Sequence, residues 1–345
     1  MPDKKPRIIL GLMGFGPEGA PGARISSLDD FKRALDLFQK RGYRDVDTAR
    51  IYIGGQQEAF TREAGWKERG LSIATKLWTA LPAGSHKPDV LTETFETSLK
   101  ELGTDSVDIL YLHVPDRSVP FADTLEAMDK LYRAGKFRRL GLSNYASFEV
   151  AEIVMTCQHN GWVRPTVYQA IYNCVHRGIE KELIPTCRRY GITVDIYSPT
   201  GGGFLTGQIK SKDDDPQEGR YAPGPMSSLL RSRYFQDGIV AGAQLIREAA
   251  EKHGLQPLEV AMRWLVHHSA LKVRDGDDGI IVAGSTLKQI EDNLDWLEKG
   301  PLPDDLVDVL ERAWKVAKAD ADPYWRFTLE YGYDTQEVLF GPGSK

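Results

Sequence analysis

Four polar residues of this chain stand at or just after the ends of short apolar runs, where chemistry is readily built. In "DVDTARIY" Asp47 and Tyr52 are five positions apart, Lys76 closes "LSIATK" and His113 closes "VDILYLH". A carboxylate, a phenol, an ammonium and an imidazole brought together form an acid–base group able to move a proton. Singly, each has a plainer role: Asp47 as a cap or turn residue, Tyr52 as a half-buried aromatic, His113 as a histidine satisfied by its neighbours. Lys76 is the hardest to explain that way, because an ionised lysine ending an apolar strand requires a partner. Asp47 supplies one. The other histidines build no metal site: His267 and His268 are adjacent on a helix and diverge, and no carboxylate follows at ligand spacing.

Such a group needs strand ends that converge. "LGLMGFG" precedes a helical pattern over Leu28–Lys40, "YRDVD" one over Gln56–Ala64, and "LSIATKL" one with Leu91, Phe95, Leu99 and Leu102 on a single stripe. "VDILYLHV" precedes the pattern Asp123–Ala134 and "FRRLGLS" the pattern Phe148–Gln158, while "PTVYQAIY", "GITVDIYS" and "DGIIVAGS" complete the strands. That makes eight βα units whose strands read as continuous apolar runs, as expected of parallel strands buried on both faces. A closed α/β barrel of the (β/α)8 TIM type satisfies this better than an open sheet, and such barrels place chemistry at the C-terminal strand ends. The Pro/Gly/Asp-rich stretch 210–225 falls inside the series and reads as a mouth loop rather than a domain boundary. A formal G-x-G-x-x-G at Gly14, Gly16 and Gly19 opens no helix, since "PEGAPGARISS" intervenes; it reads as a flexible loop after the first strand.

With 345 residues, 41% hydrophobic and 27% charged, the chain can bury a large core without disulfides or metals. A formal charge of −5, with both signs mixed throughout, offers no basic face for nucleic acid and no polybasic segment for a membrane. The apolar run Ile8-Ile9-Leu10 is too brief for a signal or a span. Cys157, Cys174 and Cys187 lack Cys-x-x-Cys spacing, which fits a reducing cytoplasm.

At these residues the sequence resembles the aldo-keto reductases, and within them the aflatoxin-aldehyde and succinic-semialdehyde reductase subgroup. The matching stretches are "DVDTARIY", "IATK", "VDILYLHVPDRSVP", "GKFRRLGLSNYASFEVAEI", "GWVRPTVYQAIYN", "GGGFLTG", "STLKQIEDNL" and "AWKVAKADADPYWR", in family order as far as Arg326. The resemblance implies a barrel that binds NADPH extended, without a Rossmann domain, and reduces a small-molecule aldehyde. Asp47, Tyr52, Lys76 and His113 match the catalytic tetrad, with His113 also facing the substrate. Ser143, Asn144 and Gln169 match the residues that hold the nicotinamide carboxamide, and Tyr197 the aromatic stacked on its ring. The segment Ser198–Gln208 matches the wrap around the pyrophosphate, with Ser198, Pro199, Gly201, Gly203, Leu205 and Gly207 as contacts; its consecutive glycines let N–H groups approach phosphate. Ser285, Gln289 and Asn293 match the adenosine end at a helix N-terminus, and Arg220 a cofactor-contacting arginine. Where many relatives bracket the 2′-phosphate with lysine and arginine, this chain has Ala283 and Gln289, with Lys288 adjacent. On the substrate side Arg233 and Arg326 are kept, while Leu230 replaces a tyrosine.

The resemblance also implies a mechanism. Reducing an aldehyde needs a hydride at carbon and a proton at the forming alkoxide, and a phenol of pKa about 10 is a sluggish donor near neutrality. Lys76, kept charged by Asp47, is expected to lower that pKa, and His113 to orient the carbonyl oxygen. A competing reading is a cofactor-binding redox-sensing or regulatory subunit, like the potassium-channel auxiliary subunits that resemble the same family; Arg233, Arg326, "PDRSVP" and "DPYWR" favour the enzyme. The expected layout is a single barrel domain over residues 1–326 with a C-terminal helix, then a tail, 327–345, without an assigned role. Expected partners are the aldehyde and, as a compatible assembly, a homodimer, with neither nucleic acid nor membrane.

Overall fold

Side chains alternate across a strand, so a barrel strand must serve two environments at once. In the computed structural model, which describes residues 5–78, 82–224, 226–274 and 276–344, eight strands do so: β1 (Arg7–Gly11), β2 (Asp45–Asp47), β3 (Ser72–Leu77), β4 (Val107–Leu112), β5 (Phe137–Ser143), β6 (Pro165–Ile171), β7 (Thr193–Tyr197) and β8 (Gly279–Val282). They pair in parallel and in sequence order, and β8 closes on β1 through the register Ile8↔Ile280. The outward residues, among them Leu10, Val46, Leu110, Leu142, Tyr168, Ile196 and Val282, join the main core between barrel and helices.

The inward residues differ from the expectation of runs apolar on both faces. Ala74, Ile109, Tyr111 and Val167 form a small separate apolar cluster inside the barrel. Around it lie charged groups: Arg7 Nη1 donates to Asp195 Oδ1 at 2.5 Å, Arg7 Nε to Asp45 Oδ2 at 2.9 Å, and the Tyr111 hydroxyl to Asp195 Oδ2 at 2.9 Å. Room for the Tyr111 ring is made by Gly141, where a methyl group would come within 2.2 Å of it. The first strand also starts earlier than "LGLMGFG" indicates: Arg7–Gly11 is the strand, and the glycines beyond it are loop.

The helices follow the strands: α1 (Leu28–Lys40), α2 (Gln57–Glu63), α3 (Pro88–Leu102), α4 (Phe121–Arg133), α5 (Ser147–Asn160) and α6 (Leu183–Tyr190). Beyond β7 come α7 (Ser227–Tyr234), α8 (Asp237–Lys252) and α9 (Pro257–His267); beyond β8 come α10 (Leu287–Glu298), α11 (Asp304–Ala317) and the short α12 (Thr335–Phe340). On α3 the stripe Leu91, Phe95, Leu99 and Leu102 is buried, as its spacing requires. Helices α8 and α11 cross closely because Gly242 lies where any side chain would meet the Ala313 carbonyl at 2.7 Å. No helix among the described residues is long and apolar enough to cross a membrane.

Candidate active site at the barrel mouth

Asp47 is the last residue of β2, Lys76 the penultimate residue of β3, and His113 follows β4. Tyr52 opens a 3-10 turn, Tyr52–Gly55, in which Ile53 adopts the left-handed φ of 51°. These elements bring the four together. Lys76 Nζ donates to Asp47 Oδ2 at 2.5 Å, to the Thr48 carbonyl at 2.7 Å and to the Tyr52 hydroxyl oxygen at 3.1 Å, so all three ammonium hydrogens have acceptors. Lys76 is fully buried and Asp47 only 4% exposed. Burial alone would push the Lys76 ammonium down, but Asp47 and Tyr52 more than offset it and hold it above its ordinary value. Tyr52 departs from expectation: burial outweighs the pull of Lys76, Asp47 adds to burial, and the phenol lies above its usual value rather than below.

The His113 ring meets Tyr52 edge-on, with centroids 6.0 Å apart. Burial, then the charges of Lys76 and Arg326, push His113 well below the usual histidine range, so its imidazole is neutral. Asn144, at φ 65°, ties the strand ends together: its Nδ2 donates to the His113 carbonyl at 2.8 Å and to Ser143 Oγ at 2.9 Å, while its Oδ1 accepts from the Tyr197 hydroxyl at 3.0 Å. Gln169 Nε2 donates to Asp47 Oδ1 at 2.9 Å, which joins it directly to the Lys76 network.

The glycine-rich segment after β7 curls over the mouth, with positive φ at Ser198, Gly201, Gly202, Gly203 and Gly207. The amides of Gly201, Gly203 and Leu205 are spent on the Ser198 and Thr200 carbonyls within the turn, and the Leu205 side chain lies in the core with the buried Pro199 nearby in sequence. Arg220 reaches in beside this segment: a methyl on Gly202 would come within 3.9 Å of Arg220 Cδ, and one on Gly14 within 3.9 Å of Nη2. Burial, then the neighbouring Arg24, push Arg220 below its ordinary value. Among the described residues neither arginine has a carboxylate partner; Arg24 donates to the Gly219 carbonyl at 3.1 Å. Ser285, Gln289 and Asn293 gather at the start of α10, where Thr286 accepts from the Gln289 amide, the Ser285 amide donates to Gln289 Oε1 at 2.7 Å and Asn293 Nδ2 donates to the Ala283 carbonyl at 3.0 Å. Lys288 is ion-paired with Asp292.

The G-x-G-x-x-G loop is packed rather than flexible at its start. Phe15 is fully buried against Phe31, and Gly16 lies where a side chain would strike Ile53 at 2.7 Å. Of the two arginines expected to meet the substrate, Arg326 sits at the mouth in contact with the Tyr197 hydroxyl, and burial, with the charge of Arg233, lowers its pKa against the pull of Tyr197. Arg233 is 4% exposed; its Nε has no hydrogen-bond partner, and its nearest carboxylate oxygen, on Asp322, is 3.7 Å away. Leu230 lies against Gly202.

Four further residues belong to this mouth that the spacing of polar residues did not single out. Trp78 stands edge-on to His113 at 5.0 Å, and its place in "TKLW", two residues past Lys76, was the available signal. Arg24 follows the glycine-rich stretch "GFGPEGAPGA" and carries no spacing signal of its own. Thr48 contributes a backbone carbonyl, for which no sequence signal exists. His176 is buried with neither ring nitrogen hydrogen-bonded, and burial, then the charges of Arg233 and Arg326, take it down to about 3. No cluster of three metal-ligating side chains occurs among the described residues.

The aldo/keto reductase family profile matches residues 7–315. An aldo-keto reductase of Pseudocercospora fijiensis is 43% identical over 84% of this chain and 99% of its own length. Aflatoxin B1 aldehyde reductase member 2 of Homo sapiens is 39% identical over 93% of this chain and 90% of its own. Among solved structures, an aldo/keto reductase from Klebsiella pneumoniae in complex with NADP and acetate superposes with a TM-score of 0.66 at 22% identity, over 90% of this chain and 92% of that one, a likeness of fold. A closed parallel barrel with Asp47, Tyr52, Lys76 and His113 at one mouth, matched along most of its length by these relatives, belongs to the aldo/keto reductase family.

Proposed function

We propose that this protein reduces aldehydes bearing a carboxylate, taking hydride from NADPH and a proton from Tyr52. That it is an NADPH-dependent oxidoreductase follows from its family; the substrate class and the roles of individual residues are our reading. The observation that carries it is the buried Lys76 ammonium shared between Asp47 and the Tyr52 hydroxyl.

The mouth suits the cofactor. The unneutralised guanidiniums of Arg24 and Arg220 beside the glycine loop suit a pyrophosphate. Gln169 commits only its amide nitrogen to Asp47, which leaves its carbonyl oxygen for a carboxamide. NADPH, when bound, supplies the hydride. The rest is done by the chain. Neutral His113 offers one N–H donor, and the Tyr52 hydroxyl a second, to the carbonyl oxygen of the aldehyde. Because burial holds Tyr52 above the ordinary tyrosine value, its acid form is fully populated at neutral pH. As charge develops on the substrate oxygen the phenol releases its proton, and Lys76, 3.1 Å away, stabilises the phenolate left behind. Trp78 gives the pocket an aromatic wall beside His113. Arg326, which the charge of Arg233 helps to lower, and Arg233, whose one ion-pair partner among the described residues, Asp322, lies 3.7 Å away, favour an anionic group on the substrate.

Tyr52→Phe is expected to leave NADPH affinity intact and lower kcat by about 10²–10⁴-fold, since it removes the proton donor and little else; single-turnover kinetics giving wild-type rates reject Tyr52 as the acid. Arg220→Ala is expected to weaken NADPH and NADH alike, by roughly tenfold or more in Kd, because it lies beside Gly202 and Tyr52 and not at the start of α10. Fluorescence titration that finds a loss confined to NADPH places Arg220 on the 2′-phosphate instead. A charged hydrogen bond of roughly 1.5–3 kcal/mol corresponds to about a tenfold to 150-fold change in kcat/KM, so Arg326→Ala should impair 2-carboxybenzaldehyde by that much and 4-nitrobenzaldehyde little. Equal losses on the two aldehydes exclude Arg326 as the reader of the acid.

A further inference from the structure

Arg326 faces a difficulty: its guanidinium lies near that of Arg233, and like charges drive long flexible side chains apart. Its main chain, however, is pinned on both sides. The Arg326 amide donates to the Asn144 carbonyl at 3.0 Å, and its carbonyl accepts from Arg117 Nη1 at 2.8 Å. The same nitrogen of Arg117 reaches the Thr328 carbonyl at 3.1 Å. Between those two carbonyls stands Phe327 at φ 62°, a left-handed conformation that a bulky residue keeps only where its surroundings dictate it.

Arg117 is itself fixed. It lies in "PDRSVP", four residues past His113, and is 6% exposed. Its Nε and Nη2 donate to Glu149 Oε1 and Oε2 at 2.6 and 2.8 Å, a bidentate pair with a fully buried carboxylate. Glu149 also accepts from the Ala146 amide at 2.7 Å, which ties it to the start of α5, and from the Tyr331 hydroxyl at 2.7 Å. The Gly332 amide returns to the Arg117 carbonyl at 2.8 Å, and the Tyr331 ring packs edge-on to Phe121 at 6.1 Å. A buried ion pair is weak evidence for stability, because desolvation offsets much of its attraction. Here Arg117 Nη1 and Glu149 Oε1 go on to the segment 326–332, while Glu149 Oε2 holds the start of α5.

We infer that Arg117 and Glu149 are positioning residues for substrate selection: they hold the segment 326–332 as a strap across the mouth and so aim Arg326 at the carboxylate of the aldehyde. The inference rests on the reading of Arg326 as the group that meets that carboxylate. It gives the start of the tail after Arg326, to which the sequence attached no role, a part in specificity without contact with the reacting atoms.

The test pairs hydrogen exchange of the Arg326 and Gly332 amides with kinetics on 2-carboxybenzaldehyde and 4-nitrobenzaldehyde, in Arg117→Met, Tyr331→Phe, Arg326→Ala and the Arg117→Met/Arg326→Ala double variant of the full chain. In Arg117→Met, exchange at both amides should accelerate by about tenfold or more. Its KM for the acidic aldehyde should rise by about tenfold with kcat nearly kept, the uncharged aldehyde should change by less than about twofold, and the double variant should lose no more than Arg326→Ala alone. Tyr331→Phe, which removes one bond to Glu149 and keeps the ion pair, should move the same quantities in the same direction by less, and it serves if Arg117→Met does not fold. Unchanged exchange overturns the strap. Accelerated exchange with equal losses on both aldehydes, or losses that add in the double variant, overturns positioning through Arg326. An Arg326→Ala variant that is itself unselective sinks the acid reading and this inference with it, and the exchange data separate that failure from a failure of the strap.

Discussion

A lysine ammonium with no exposure to water sets the terms for the whole barrel mouth. Lys76 can remain charged only if acceptors replace its hydration, and the three it finds come from the end of β2, the residue just beyond it and the turn opened by Tyr52. Those acceptors fix the register of β2 on β3, since a slip of one residue would turn Asp47 out of the barrel. They also decide which phenol shares the ammonium. Gln169, reaching from β6 to the other Asp47 oxygen, carries the same requirement across to the far wall. Below, Arg7, Asp195 and Tyr111 form a second charged set, and the Asp195 charge is felt at Asp47. The interior thus holds paired charges alongside its apolar filling.

The mouth above it carries an excess of the other kind. Arg24 and Arg220 are neighbours beside the glycine-rich segment, and Arg233 and Arg326 are neighbours near Tyr197; among the described residues Asp322, 3.7 Å from Arg233 Nε, is the one carboxylate in ion-pair reach of the four. The chain as a whole is acidic, at −5, so this positive field is local. Four guanidiniums held partly out of water with a single carboxylate among them favour anions, and a dinucleotide and a carboxylate-bearing aldehyde are the anions that the proposed reaction brings. Aiming those cations against their mutual repulsion is a task for the scaffold, which on the substrate side uses a buried ion pair and a length of backbone after the last barrel helix.

Much of this was legible from residue order. The alternation of apolar runs with helical stripes led to eight βα units; the stripe of α3 is buried and Asp47 ends β2 as expected, while Lys76 lies one residue before the end of β3 and His113 one residue past the end of β4. The polar strand ends pointed to the mouth because an ionised lysine in an apolar run needs explaining. What escaped notice has physical reasons. Asp195 in "TVDIY" and Arg7 ahead of "IIL" look like strand-edge charges until the barrel closes and sets them 2.5 Å apart, across 188 residues of chain. The Tyr52 phenol was expected to be lowered by Lys76; how far burial outweighs that pull depends on packing, which residue order does not reveal. Arg117 and Glu149 lie 32 residues apart, and only the fold shows that both turn to the C-terminal segment.

The central claim is that the charge on Lys76 tunes Tyr52. The alkaline limb of the pH–rate profile for aldehyde reduction in Lys76→Met tests it most directly. Lys76 pulls the Tyr52 pKa down against burial, so removing its charge should move that limb to higher pH, while kcat falls by about 10²–10⁴-fold for want of phenolate stabilisation. A limb that stays at its wild-type pH in the folded, cofactor-binding variant would contradict the account, because the phenol would then be titrating without sensing the ammonium 3.1 Å away.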